Sequence, residues 1–112
     1  MEIKDQKKND FVIISIDGNI VMEDTVKLKE YVEQYIEMPS LKGIILDCQE
    51  VNYIDSSGLG LIVSIYKTLK SSNKKFALFG FSEKTIEIFV LTKLNSILTI
   101  TEDVESAMEK AK

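Results

Sequence analysis

The chain has 112 residues, 45% of them apolar and 29% charged, with a formal net charge of -4, which is the balance of one compact globular unit and not of a disordered segment. All of its basic residues are lysines, and none forms an aromatic-interleaved basic face, so phosphate tracking along nucleic acid is disfavoured. Histidine is absent, which removes the usual base for a serine nucleophile and the commonest metal ligand, so neither catalytic residues, nor a metal site, nor a cofactor is expected.

The polar stretch Glu2 to Lys8 reads as an edge strand, joined through Asn9-Asp10 to a buried strand from Phe11 to Ile16, with Asp17-Gly18 as the next turn. From Asp24 the period changes. Leu28, Tyr31, Val32, Tyr35 and Ile36 recur at intervals of three and four, predicting an amphipathic helix that Glu23 and Asp24 favour at its start and Pro39 bounds at its end.

Gly43 to Cys48 is nearly continuous in apolar residues, as expected for a central strand covered on both faces, and Cys48, the single cysteine, reads as a small buried hydrophobe. A second helix follows, with an expected buried stripe of Leu59, Ile62, Val63, Tyr66 and Leu69. Lys75 to Phe81 is the next strand. Ser82 and Thr85 are alternative starts of a third helix whose Ile86, Phe89 and Val90 are expected to face inward. Ser96 to Ile100 predicts a last short strand and Asp103 opens a terminal helix. Strands alternating with helices after an opening hairpin predict a single α/β domain over 1–112, with a mixed, largely parallel sheet of four to five strands and four helices. The longest apolar run is far shorter than the ~20 residues that span a bilayer, and the N-terminal segment has no signal-peptide pattern, so a cytoplasmic protein is expected.

The chemistry concentrates in Asn52-Tyr-Ile-Asp-Ser-Ser-Gly-Leu-Gly60, at the seam between the central strand and the second helix. Asp55 or Ser56 can cap that helix by accepting bonds from the free amides of its first turn. The hydroxyl of Ser56 can also be a substrate: a phosphate there would lie against free amides and the positive end of the helix dipole. Gly58 and Gly60 lower helix propensity, so each is expected to serve close packing against the sheet or the approach of another protein's backbone, and a side chain at Gly60 is expected to damage fold and binding together. Neither a dinucleotide fingerprint nor a Walker-type phosphate loop is complete, because Val63 stands where the former needs glycine and no Lys-Ser/Thr pair follows.

In Val51 to Lys70 the chain resembles the signature of STAS domains, in particular bacterial anti-sigma factor antagonists: an apolar strand end, Asp55-Ser56-Ser57-Gly58-Leu59-Gly60, then an apolar helix. Phe11 to Ile20 and Ile97 to Met108 are similar to the family's second strand and its closing strand and helix, and Thr92-Lys93-Leu94 stands where the family usually has Thr-Gly-Leu. The resemblance implies a STAS fold and a non-enzymatic regulator. Its unphosphorylated form would bind an anti-sigma factor that is also a serine kinase, freeing a sigma factor; phosphate on Ser56 would end the binding, and a serine phosphatase would reset it. Asp55, Ser56, Ser57, Gly58, Leu59 and Gly60 would form the contact motif. One departure stands out. Asn19-Ile20-Val21 replaces the Glu-Leu-Asp common in sigma-regulating members, leaving Glu23 and Asp24 as the nearby carboxylates; a constitutive STAS adaptor or scaffold subunit is the alternative reading.

Overall fold

The computed structural model describes residues 1–112. Five strands, β1 (Glu2–Lys8), β2 (Phe11–Asp17), β3 (Gly43–Glu50), β4 (Lys75–Phe79) and β5 (Ile100–Thr101), lie side by side in chain order. Only β1 is antiparallel to its neighbour; the other pairings are parallel. Asn9 and Asp10 take positive φ angles of 49° and 67°, and they close the hairpin tightly enough to pair Lys8 with Phe11. Asparagine and aspartate tolerate that left-handed geometry better than most side chains.

Four helices complete the chain: α1 (Thr25–Ile36), α2 (Ser56–Ser71), α3 (Glu83–Leu91) and α4 (Val104–Lys110). Parallel strands added one after another in the same direction place right-handed crossovers on a single face. The packing follows that rule. Val12, Ile14 and Ile16 of β2, Ile44, Leu46 and Cys48 of β3, and Phe76 and Leu78 of β4 meet Leu28 and Val32 of α1, Leu61 and Ile62 of α2, and Phe89 of α3 in one apolar core. The alternate residues Phe11, Ile13, Ile45, Ala77 and Phe79 face the opposite side, where Ala107 and Ala111 close a smaller core beneath α4. β3 is thus covered on both faces, as its unbroken apolar run implies.

Several expectations change, and β4 ends at Phe79 and not at Phe81, where Gly80 turns the chain at φ 89°. The buried face of α2 consists of Gly58, Leu61, Ile62, Ile65 and Leu69, while Leu59, Val63 and Tyr66 are only half-buried. From Leu59 to Tyr66 the only non-apolar residues are Gly60 and Ser64, so the sequence offers little polar contrast to fix the helix's phase. Val90 lies 51% exposed, because the wall of α3 beside β5 is left open. The last strand is Ile100–Thr101 and not Ser96–Ile100: Leu94–Ser96 forms a 3-10 turn, Leu98 plugs the core, and pairing starts only where Leu78 and Phe79 supply partners. No helix is long and apolar enough to cross a membrane.

Candidate functional site

The candidate site is built where the β2 and β3 chains leave the sheet. Beyond the strand ends Ile20 and Ile54 form one more parallel bridge, with the Ile20 N–H donating to the Tyr53 carbonyl at 3.0 Å and the Asp55 N–H to the Ile20 carbonyl at 3.3 Å. This bridge fixes the start of α2 against the segment that leads into α1. Gly58 makes the fit possible: a Cβ there would stand 2.2 Å from the Ile20 carbonyl oxygen and 2.8 Å from the Ile54 side chain.

Asp55 is the N-cap, in extended geometry at φ −92° and ψ −179°. Its Oδ1 accepts the Gly58 N–H at 2.8 Å, and its Oδ2 accepts the Met22 N–H at 3.1 Å. One carboxylate therefore ties two segments together, the first turn of α2 and the 3-10 turn Met22–Asp24 that leads into α1. With both oxygens engaged by backbone amides, Asp55 is a clamp and not a base aimed at a hydroxyl. Of the two cap candidates, Asp55 takes the role, and Ser56 is left as the exposed first residue of the helix. Ser57 is half-buried, as is Leu59, which packs against the edge of the core.

Gly60 is unlike Gly58. It is exposed, and a Cβ built on it meets nothing within 4 Å, so the fold does not require glycine there, contrary to expectation. It borders an open recess of about 400 Å³, walled by Met22, Val26 and Lys29 on one side and by Ser57, Gly60 and Leu61 on the other. Met22 is 67% and Val26 64% exposed. Sequence reasoning missed both. The available signal was Val26 itself, an apolar residue of α1 that falls outside the stripe of Leu28, Tyr31, Val32, Tyr35 and Ile36.

Val21 is half-buried just before this turn, with its carbonyl accepting the Asp24 N–H at 2.9 Å. Glu23 is exposed and Asp24 half-buried, and Asp24 sits at the cap position of α1 without a side-chain capping bond. Cys48 is fully buried in the main core. Burial and the neighbouring Asp47 charge push its thiol well above the usual range, so it stays protonated and packs as a hydrophobe.

A mostly parallel α/β layer that presents a serine at the capped start of a central helix, with an open recess rimmed by Met22 and Val26 along that helix, has the form of a recognition module. Residues 2–107 match the STAS domain model, and the chain belongs to the STAS domain family. It is 36% identical over 110 residues to the anti-sigma-B factor antagonist of Listeria monocytogenes, covering 96% of this chain and 92% of that protein. A crystal structure of a Thermotoga maritima protein superposes with a TM-score of 0.87 at 30% identity, covering 96% of this chain and 92% of the other. The phosphorylated form of the Bacillus cell fate determinant SpoIIAA shares the fold at a TM-score of 0.72 and 17% identity, over 97% of this chain and 98% of that one.

Proposed function

We propose that the chain is a cytoplasmic anti-sigma factor antagonist, one STAS domain over 1–112. In this reading its unphosphorylated form binds an anti-sigma factor with serine kinase activity and releases a sigma factor. Phosphorylation of Ser56 switches it off, and a serine phosphatase restores it. The observation that carries the reading is the exposure of Ser56 at the start of a helix whose cap is supplied by its neighbour Asp55. A hydroxyl freed from structural duty can be modified without loss of the fold. The relatedness to the Listeria antagonist, over nearly the whole of both chains, supports the partner class.

The physical basis is a change of charge at a contact surface. A phosphoserine carries about −1.5 to −2 charges at neutral pH, and next to the Asp55 carboxylate and the apolar Met22–Val26 rim it adds repulsion and desolvation to any docked state. A loss of about 3 kcal/mol weakens binding more than a hundredfold. In this reading Asp55, Ser56, Ser57, Gly58, Leu59 and Gly60 form the contact motif, with Asp55 and Gly58 holding its shape and Ser56 and Gly60 facing the partner.

Val21 favours a second reading. With an aliphatic side chain where sigma-regulating members commonly carry aspartate, the motif would serve a constitutive adaptor whose serine is never modified. An affinity pull-down from the source cell, comparing wild type with Ser56→Asp and mapping phosphopeptides by mass spectrometry, separates the two. Wild type is expected to capture a small kinase-like protein that Ser56→Asp does not, with phosphate on Ser56. Identical partners and an unmodified serine would replace the switch by the adaptor. Ser56→Ala is expected to melt within about 0.5 kcal/mol of wild type, since the cap belongs to Asp55.

A further inference from the structure

Far from Ser56, the outer edge of β5 lies at the floor of an open groove of about 880 Å³ between α3 and α4. Ile86 and Val90 wall one side; Asp103, Ser106 and Lys110 wall the other. Val90 and Ile97 are 51% and 42% exposed at this end of the molecule, and Leu91 beside them is 82% exposed.

The charges along the groove are ordered. Gly80, at the end of β4, donates to the Thr101 carbonyl at 3.2 Å, whereas Lys112 exchanges both backbone bonds with Phe76, near the start of β4, at 2.9 and 3.2 Å. α4 therefore runs back against the direction of β5. Glu102 and Asp103 stand at the end where the strands finish, and Lys110 and Lys112 lie toward the end where they begin.

The two edges of the sheet differ in kind. β1 exposes Glu2, Lys4, Asp5, Lys7 and Lys8, a density of charge that discourages strand addition. β5 offers Ile100 and Thr101, both half-buried, with no charge of its own. Growth of the sheet is therefore blocked on one side and open on the other, a pattern that closes at two molecules and does not propagate into a fibre.

We propose that the β5 edge and its groove seat a second copy of this chain, related by a two-fold axis that sets the two β5 strands antiparallel. That operator brings Glu102 of each copy to the Lys110–Lys112 end of the other, and sets the Ile86–Val90 wall of each groove against its partner. Parallel strands would instead set like charges together. A two-residue strand is too short to hold two molecules through backbone bonds alone, so the side chains of α3 and α4 supply most of the contact. No residue of this groove lines the recess beside Ser56, so the pairing stands apart from the proposed switch and leaves both serines open.

Sedimentation equilibrium of the full chain, from micromolar to near-millimolar concentration, tests it. The expected mass rises with concentration from 12.7 kDa toward twice that value. Val90→Glu is expected to raise the dimer Kd at least about tenfold, because it sets a charge on the apolar groove wall that the second copy would cover. Glu102→Lys and Lys112→Glu should each weaken the dimer, and the double variant Glu102→Lys/Lys112→Glu should recover it. Circular dichroism melts check folding, with Leu91→Glu as the substitute should Val90→Glu not fold. A monomer at every concentration overturns the proposal. So does a dimer indifferent to the glutamate substitution, or one that the charge swap fails to restore.

Discussion

Gly58 and Gly60 occupy the inner and outer sides of the same helical turn, and they answer to different constraints. Gly58 is sealed against the Ile20 carbonyl, while Gly60 faces open space beside Met22 and Val26. On the inner side the fold itself demands the missing side chain. On the outer side it does not, and a helical glycine still forfeits about 1 kcal/mol relative to alanine. The glycine that the fold does not need is the one placed where the proposed partner would sit.

The sharpest way to break this contrast is Gly58→Ala. The added methyl must displace the Ile20 carbonyl and with it the Ile20–Ile54 bridge, so a loss of about 3 kcal/mol is expected despite alanine's better helix propensity. Urea unfolding measures it, and a stable Gly58→Ala variant would sink the packing account. Asp55→Ala comes next. It removes the cap bond to Gly58 and the bond to Met22, a combined loss of about 2 kcal/mol, or roughly 10 °C in the melting temperature. Amide exchange should rise at Met22 as well as at Gly58, since the clamp has two arms; protection unchanged at Met22 would reduce Asp55 to an ordinary cap. Gly60→Ala has the opposite sign. It should stabilise the domain by up to about 1 kcal/mol, and, on the proposed function, weaken partner capture in the pull-down. Unimpaired capture would detach Gly60 from the interface.

Much of this was legible in the chain because local and global signals agreed. The Asn9-Asp10 turn, the apolar run of β3 and the Asp103 cap, which accepts the Ser106 N–H at 2.8 Å, each carry a short-range cause that the folded molecule keeps. At the site, sequence placed Asp55 and Ser56 at the helix start but left the cap open between them. The choice depends on Met22, whose amide arrives from a segment 33 residues away to take the second carboxylate oxygen. The phase of α2 was hidden for a related reason: Gly58 turns toward the sheet because Ile20 is there, and no periodicity within the helix records that contact. Gly60 was expected to matter for the fold because glycine's cost is readable in sequence, whereas what faces it is not.

Lys93 is the counterpart of Gly60, a side chain where the backbone would favour none. It sits in the left-handed region at φ 61° and ψ 15°, between the last turn of α3 and the 3-10 turn Leu94–Ser96, with its N–H donating to the Val90 carbonyl at 3.0 Å. A non-glycine residue in that geometry carries about 1 to 2 kcal/mol of strain, and glycine gives back roughly 0.5 to 1 through the freedom of its unfolded chain. Lys93→Gly is thus expected to stabilise by about 0.5 kcal/mol, read as a higher urea midpoint at unchanged slope. The lysine is exposed, so no lost packing offsets the gain. A lower midpoint would mean that the Lys93 side chain stabilises the turn by more than the strain it imposes. Because Lys93 is absent from the residues lining both the Ser56 recess and the β5 groove, the same substitution should leave partner capture and dimerisation where they were, which separates backbone relief from either surface.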